Sequence, residues 1–232
     1  MRLALLGDVH GNAAALRAVL ESASVERVDA LLVTGDLVGY YFDAQGVLDL
    51  LAPWRRYMVR GNHEDMLAAA REDRSTLPSI ERKYGSGVRV ALETLSGVAL
   101  DALCSLPHPL EIDADGARML LCHGAPWDND VYVYPDADET LLARCAVPGY
   151  KFVILGHTHH PMVRGVTGTT IVNPGSVGQP RNRQPGAHWA LLDTGTGKTA
   201  LRCEPYDIAS VAAEARRRHP DLPYLAEVLE RR

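Results

Sequence analysis

Carboxylate, amide and imidazole side chains are concentrated in five short segments of this chain of 232 residues, and each segment follows an apolar run directly or within a residue. In chain order the segments are Gly7-Asp8-Val9-His10, Gly35-Asp36, Gly61-Asn62-His63-Glu64, Cys122-His123-Gly124 and Gly156-His157-Thr158-His159. Divalent transition metals accept carboxylate oxygens, amide oxygens and imidazole nitrogens as ligands. Together the segments predict a site for two divalent cations.

The spacing within these segments indicates how ligands could share the cations. Asp8 and His10 are one residue apart and can reach a single ion from an extended loop, and His157 and His159 have the same spacing. Asp36 offers two carboxylate oxygens and could bridge two ions. A glycine precedes most of these ligands, and we expect it to turn the chain sharply off the end of a strand.

Two further segments each supply one ligand, since Asn62 offers a neutral carbonyl oxygen and His123 an imidazole. Two divalent cations bring four positive charges, whereas Asp8 and Asp36 supply only two negative ones, so the site should attract anions such as hydroxide and phosphate. Two metals about 3.5 to 4 Å apart can hold a hydroxide and clamp both oxygens of an in-line displacement. The ligands therefore predict phosphoester hydrolysis without a covalent enzyme intermediate.

The elements that position these ligands alternate between strands and helices in the first two thirds of the chain. Buried strands are predicted at residues 3–6, 30–33, 57–59 and 152–155, and helices at 13–23, 47–51, 64–72, 88–104 and 138–146. The segments thus follow strand ends, where a parallel sheet places its ligand-binding loops. Six of the nine histidines fall in or beside these loops, whereas His108, His188 and His219 lie elsewhere and are interpreted as structural or solvated.

The second half of the chain is richer in strands. Asp115-Gly116 between two apolar runs predicts a hairpin over residues 110–121, short strands follow around 163, 171, 190 and 201, and a helical tail begins at 208. This order predicts an α/β (α+β) fold in which two sheets pack face to face as a β-sandwich flanked by helices. The length fits one domain, residues 1–232.

Composition excludes several classes of function. The net charge of −5 argues against broad nucleic-acid binding, because phosphate backbones need a basic face. The four cysteines are far apart and form no Cys-x-x-Cys motif, which favours a reduced, cytoplasmic chain. The apolar run at residues 3–6 is too short for a signal peptide and no stretch reaches the length of a membrane span, so no membrane partner is expected.

The five segments, in this order, resemble the calcineurin-like metallophosphoesterase superfamily, and the resemblance extends over nearly the whole chain. It implies a double β-sheet sandwich flanked by helices. The implied ligands form two sets joined by the bridging residue Asp36: Asp8, His10 and His159 for one metal, and Asn62, His123 and His157 for the other. His63 corresponds to the family's catalytic histidine, which stabilises the transition state or protonates the leaving oxygen.

Two further stretches, Gly35–Tyr40 and Val172–Arg181, are similar to those of the small bacterial and archaeal phosphodiesterase group. Serine/threonine protein phosphatases and symmetrical dinucleoside tetraphosphatases carry an Asp-Arg pair shortly after the second Gly-Asp, which this chain lacks. Arg181, with its planar fork of donors, and Tyr40 are predicted to contact the substrate phosphate. The expected cofactor is a pair of divalent ions, manganese first, with iron, zinc, cobalt or nickel as alternatives.

Three other functions stay open beside a phosphodiesterase acting on a small substrate. One is a phosphomonoesterase or nucleotide phosphatase, and another is a non-catalytic metal-binding scaffold, because members of this superfamily can lose catalysis. The complete ligand set and His63 favour an enzyme over a scaffold. A nuclease is the third, and the acidic balance of charge counts against it. The oligomeric state is open as well, a homo-oligomer included.

Overall fold

Ten strands and nine α-helices form the protein, of which the computed structural model describes residues 1–232. The strands are β1 (Arg2–Leu6), β2 (Ala30–Val33), β3 (Arg56–Met58), β4 (Leu110–Ala114), β5 (Ala117–Leu121), β6 (Phe152–Ile154), β7 (Met162–Val166), β8 (Thr169–Asn173), β9 (Ala187–Asp193) and β10 (Thr199–Glu204). The helices are α1 (Ala13–Val25), α2 (Ala44–Leu51), α3 (Asn62–Glu72), α4 (Leu77–Tyr84), α5 (Gly87–Thr94), α6 (Gly97–Cys104), α7 (Glu139–Cys145), α8 (Ile208–Arg218) and α9 (Tyr224–Glu230).

The strands build two five-stranded sheets, with the orders β10-β9-β1-β2-β3 and β4-β5-β6-β8-β7. In the first sheet β1, β2 and β3 are parallel, and in the second β5, β6 and β8 are parallel. The remaining pairs are antiparallel, including the β4–β5 hairpin predicted from Asp115-Gly116. The parallel centre of each sheet gives it one edge at which several strands end together.

Alternating side chains along the strands explain why the two sheets pack face to face. Leu3 and Leu5 of β1 belong to a buried cluster that also contains Phe152 and Ile154 of β6, so this cluster lies between the sheets. Ala4 and Leu6 face the opposite way, into the larger cluster formed with α1, α2 and the helices after β3. Such alternation is what a two-sided burial of each strand produces. The predicted sandwich with helices on its outer faces is confirmed.

The helical region after β3 differs from its prediction. The helix predicted over residues 88–104 is two helices, α5 and α6, because Leu95 adopts an extended conformation and Ser96 caps the second helix by accepting a hydrogen bond from Ala99 N at 3.2 Å. Residues 77–84, for which no element was predicted, form α4 with Pro78 in its first turn. Proline is tolerated there because the first amides of a helix have no intrahelical acceptor.

The structure describes the cysteines and the apolar character of the helices, both of which the sequence analysis considered. All four cysteines are free thiols. None of the helices has both the length and the apolar character that crossing a membrane requires.

Candidate metal centre

The candidate ligands lie in loops that follow the carboxyl ends of parallel strands. Asp8 follows β1, Asp36 follows β2 and Asn62 opens α3 after β3, all in the first sheet. His123 follows β5 and His157 follows β6 in the second sheet. Since both sheets place these ends on one side of the sandwich, the loops of all five strands meet there.

Five of the candidate ligands adopt backbone conformations that are rare for residues with a side chain. The structure has ten non-glycine residues with positive φ, and the five ligands among them, with φ from 53° to 66°, are Asp8, His10, Asp36, His157 and His159. Each such conformation costs free energy that the surrounding structure must offset. Strain concentrated at one cluster of side chains is typical of a functional site.

The glycines before these ligands have a different role from the one predicted. Gly35 does turn the chain, with φ of 95°. At Gly7 and Gly156, however, the reason is close packing, because a Cβ atom would lie 2.0 Å and 2.4 Å from Thr34 Oγ1. The expectation that glycines make these turns was therefore wrong at those two positions, where the left-handed residues that follow make the turn themselves.

Two groups of side chains bring their metal-binding atoms within 4.8 Å of one another. The first ligand group is Asp8, His10, Asp36 and His159, and the second ligand group is Asp36, His123 and His157. Asn62 lies beside the second group, with its Oδ1 atom 3.1 Å from His123 Nε2. The structure thus gathers all seven residues that the sequence singled out as ligands.

Asp36 belongs to both groups through a single oxygen. Its Oδ2 atom lies 3.6 Å from His10 Nε2 and 3.5 Å from His123 Nε2. Its Oδ1 atom instead accepts a hydrogen bond from the backbone N–H of His63 at 2.9 Å. The carboxylate is therefore oriented by the neighbouring segment, and one oxygen is left between the two groups.

The histidine tautomers indicate that the first group fits a cation. His10 Nδ1 lies 3.1 Å from the Val38 carbonyl and His159 Nδ1 lies 2.6 Å from the Gln179 carbonyl, so both Nδ1 atoms must carry the proton. The two Nε2 atoms then have lone pairs, yet they face each other at 3.1 Å. Two lone pairs at this distance repel unless a cation lies between them and the nearby carboxylates.

The second group repeats this pattern. His123 Nδ1 donates to the Thr34 carbonyl at 2.7 Å, which leaves a lone pair on Nε2. That atom faces His157 Nδ1 and the Asn62 amide oxygen, both at 3.1 Å. The donor set of both groups therefore fits divalent metal ions, with nitrogen and oxygen ligands in each.

Burial shapes the charges of the site. It raises the pKa of Asp8 and Asp36 well above the usual carboxyl range, and Glu64 nearby adds to the rise. It also lowers the pKa of His10, His123 and His159 well below the usual value for histidine. Asp8 Oδ2 is buried without a hydrogen-bond partner. Since a nearby cation favours ionised carboxylates, a bound metal would offset the cost of burying Asp8 and Asp36 as anions, and burial already favours the neutral imidazoles that metal binding requires.

Glu64 is a buried carboxylate whose role the sequence did not reveal. Its two oxygens accept hydrogen bonds from the backbone N–H groups of Asp36, Leu37, Val38 and Gly61, at 2.8, 2.7, 3.3 and 2.9 Å. Burial raises its pKa, and these four donors oppose the rise. Glu64 thus ties the loop that carries Asp36 to the start of α3.

His63 packs against three aromatic or imidazole rings beside the ligand groups. The ring centroids of His10, Tyr40 and Tyr84 are 4.6, 4.9 and 5.0 Å from its own. Its Nδ1 atom is buried without a partner, and a Cβ atom at Gly39 would lie 2.0 Å from it. Burial, with the charges of Arg181 and His157, lowers the pKa of His63 to about 3. The imidazole is therefore neutral at ordinary pH, and Gly39 packs closely against its Nδ1 atom.

Arg181 and Tyr40, the predicted substrate contacts, lie side by side near the first ligand group. Arg181 Nη2 donates to Tyr40 Oη and to Gln179 Oε1, both at 3.0 Å. The backbone N–H of Arg181 donates to the His159 carbonyl at 3.4 Å. These acceptors are neutral, and the Arg181 Nε atom is buried without a partner. The guanidinium therefore keeps a positive charge that no protein carboxylate contacts directly.

His157 differs from the other histidines of the site because its Nδ1 atom points to the second group. Its Nε2 atom lies 3.5 Å from the carboxylate of Asp130, a residue on the loop between β5 and α7. Tyr132 of the same loop packs on the imidazole, with ring centroids 3.9 Å apart. Asp130 and Tyr132 could not be selected from the sequence, because this loop has no periodic pattern and reaches the site only through tertiary packing.

The remaining histidines lie outside both ligand groups. His188 Nε2 contacts the Gln184 carbonyl at 2.9 Å, and His219 Nε2 accepts a hydrogen bond from Ser86 N at 3.0 Å. His108 is half-buried before Pro109. His160 is also outside the groups, with its ring 5.7 Å from that of Tyr134. The positions of His108, His188 and His219 agree with the structural roles expected for them.

The chain is similar in sequence to a known protein family and to an archaeal protein. A family model for the calcineurin-like phosphoesterase superfamily domain matches residues 1–197. An uncharacterised protein of Methanocaldococcus jannaschii is 26% identical over 225 residues, which cover 89% of this chain and 88% of that protein.

Two crystal structures are similar over nearly their whole length. A hypothetical protein from Pyrococcus horikoshii has a TM-score of 0.87 at 21% identity, with 99% of this chain and 98% of that chain covered. A metallophosphoesterase from Sphaerobacter thermophilus has a TM-score of 0.77 at 28% identity, with the same coverage of 99% and 98%. The two likenesses agree with the fold predicted from the sequence.

Proposed function

Because this chain belongs to the calcineurin-like phosphoesterase superfamily, we propose that it hydrolyses phosphoesters with the help of two divalent metal ions. The observation that carries the proposal is the position of Asp36 Oδ2, which faces both ligand groups at 3.5 to 3.6 Å. An oxygen in that position suits a ligand that bridges two ions. We assign the other ligands accordingly: Asp8, His10 and His159 to one ion, and Asn62, His123 and His157 to the other.

Two divalent ions, when bound, lower the pKa of water and polarise the phosphoryl oxygens of an ester. Their four positive charges exceed the two negative charges of Asp8 and Asp36, so the loaded site attracts an anionic substrate. The mixed oxygen and nitrogen ligands accept manganese, iron, zinc, cobalt or nickel. We propose manganese as the first ion to test, and a cytoplasmic location suits the four free cysteines.

Arg181 and Tyr40 bind the substrate phosphate in this proposal. The unpartnered Arg181 Nε atom and the neutral partners of its Nη2 atom leave donor capacity and charge for a phosphoryl oxygen. Tyr40 orients the guanidinium through its hydroxyl. Guanidinium groups suit this task because their planar donors match the geometry of phosphate oxygens.

His63 acts on the leaving group in this proposal. Its Nδ1 atom is buried against Gly39, so the Nε2–H group is available to donate a hydrogen bond to the leaving oxygen. A pKa of about 3 keeps the imidazole neutral at the pH of the cell. The rings of Tyr40 and Tyr84 restrict its orientation, which preserves the donor geometry during the reaction.

A phosphodiester is the preferred substrate class. A diester carries one negative charge, and the Arg181 guanidinium beside Tyr40 supplies one positive charge to balance it. The test compares kcat/KM for bis-p-nitrophenyl phosphate and p-nitrophenyl phosphate with saturating manganese. We expect the diester to be hydrolysed at least as efficiently as the monoester, and Asp36→Asn prepared in parallel controls for a contaminating phosphatase.

A phosphomonoesterase is the second candidate, and one observation favours it. The positive charge of Arg181 meets no protein carboxylate directly, so it could balance the second negative charge of a monoester. A strong preference for p-nitrophenyl phosphate in the same comparison would overturn the diester assignment. Absence of manganese-dependent hydrolysis of either ester would contradict the enzymatic function itself.

A further inference from the structure

A cleft of about 390 Å³ opens beside the second ligand group. Asn62 forms part of its lining, so the cleft reaches the candidate metal centre. Tyr84, at the end of α4, and Tyr132, on the loop between β5 and α7, also line it. Its volume lies within the range of pockets that bind small ligands. The proposed reaction has so far assigned no task to this cleft.

The two tyrosine rings are held in place by their own packing. Tyr132 is 44% exposed, although it packs on His157 and lies parallel to Tyr134, with an interplanar angle of 14° and centroids 5.7 Å apart. Tyr84 meets His63 and Tyr40 edge to face, at 5.0 and 5.6 Å. A ring that is already ordered loses little conformational entropy when a ligand contacts it. The exposed fraction of Tyr132 is therefore available for contact with a ligand.

Polar groups surround these rings. The Asn129 amide is oriented by donating to Asp65 Oδ2 at 2.6 Å, and the Asp130 carboxylate is exposed. The Lys83 ammonium lies 4.8 Å from the centroid of the Tyr84 ring. The cleft thus combines two aromatic rings with hydrogen-bonding groups, among them a positively charged ammonium and negatively charged carboxylates. A lipid chain would leave these polar groups unpaired, whereas a planar heterocycle has apolar faces and a polar edge.

We propose that this cleft binds the nucleobase of a nucleotide phosphoester whose phosphate lies at the metal centre. The inference rests on the proposed function, because it specifies the substrate class of that same site. The two sides of the metal centre bind different parts of the substrate. Arg181 and Tyr40, near the first ligand group, take the phosphate charge, and the cleft beside the second ligand group takes the base.

The experiment compares two diesters with the same leaving group. One is thymidine 5′-(p-nitrophenyl phosphate), and the other is its abasic analogue, in which a methoxy group replaces thymine. With saturating manganese, we expect kcat/KM for the thymidine ester to be about tenfold higher, because contact of a base with an aromatic side chain stabilises the bound ester. Most of the difference should appear in KM.

Tyr132→Leu and Tyr84→Leu should each bring this ratio close to one. The ratio is the quantity to compare, because both tyrosines also pack on histidines of the site and their loss can change absolute rates. Trp127→Leu is the matched control. Trp127 is an aromatic residue of the same loop, 38% exposed, and it stacks with Arg144 at 3.7 Å outside the cleft. Its variant should keep the wild-type ratio.

A binding measurement separates this inference from the proposed function. Thymidine has no phosphate, so its binding to the metal-free protein by NMR titration does not depend on catalysis. We expect weak binding that Tyr132→Leu abolishes and Trp127→Leu preserves. If neither ester is hydrolysed while thymidine still binds in this way, the proposed function fails and the cleft assignment stands. If both esters are hydrolysed with equal efficiency and thymidine does not bind, the cleft assignment is overturned.

Discussion

The first and second ligand groups differ in what holds their histidines in place. Every member of the first group is at most 2% exposed, and backbone carbonyl groups fix both of its histidines. The second group includes His157, whose Nε2 atom faces Asp130, a carboxylate with 69% of its side chain exposed. The aromatic cleft opens on this second side.

The two ligand groups are therefore held by different parts of the structure. The first group is fixed by strand ends and carbonyl groups of the core, so its geometry exists before any ion binds. The second group depends partly on a surface loop that also lines the cleft. We therefore expect the ion at the first group to bind more tightly, and the ion at the second group to exchange more readily and to respond to changes in the loop.

Asp36→Asn should have the largest effect, because it removes the one carboxylate that the two groups share. Each metal contributes several kcal/mol to transition-state stabilisation, so we expect activity to fall on the order of a thousandfold or more. Metal content, measured on the same samples after dialysis, should fall with it. Full occupancy of two ions together with normal turnover would remove Asp36 from the bridging role.

His63→Ala should reduce turnover while leaving both ligand groups intact. Its side chain lies beside the groups and belongs to neither, and only its backbone N–H contacts Asp36. We expect a loss of about a hundredfold or more in kcat, the usual range for a positioned proton donor or acceptor. Metal analysis decides the interpretation, since a metal-free variant would make His63 a ligand.

Glu64→Gln should weaken both groups at once by loosening the loop that carries Asp36. An amide NH2 group would face backbone N–H donors, and charged hydrogen bonds worth about 1.5 to 3 kcal/mol each would be weakened. We expect the free energy of unfolding to fall by roughly 2 kcal/mol, and metal affinity to fall about tenfold or more. Urea titration and manganese calorimetry measure the two effects, and an unchanged affinity would limit Glu64 to a structural role.

Asp130→Asn should have the smallest effect and should change only one of the two ions. We expect the weaker manganese affinity to fall by up to about tenfold, because the partner of a metal-bound histidine tunes its basicity and orientation. Asp136→Asn, an exposed residue farther along the same loop, is the control. An equal loss at both ions, or the same loss in the control, would remove the asymmetry between the groups.

The ligands could be predicted from the sequence because the signal is local. Each follows an apolar strand within a few residues, and the carboxyl ends of parallel strands must meet, as Asp8 and Asp36 show after β1 and β2. The fold followed from the same alternation of strands and helices. The single domain, residues 1–232, stays a prediction.

What the sequence missed depends on contacts between distant residues. Glu64 accepts hydrogen bonds from amides of a loop that precedes it by more than 25 residues, and no local sequence pattern predicts such a contact. The break between α5 and α6 was missed because Leu95 continues the apolar pattern while its backbone leaves the helix. Asp130 and Tyr132 reach the second group through a loop without periodicity, so only the tertiary structure brings them to the site.

Anomalous diffraction at the manganese edge, from crystals grown with manganese, would show whether Asp36 bridges two ions. We expect two peaks about 3.5 to 4 Å apart, one at each ligand group, with Asp36 Oδ2 bound to both ions. The peak at the first group should have the higher occupancy when manganese is limiting. A single peak, or two peaks of which only one contacts Asp36, would contradict a dinuclear centre bridged by this residue.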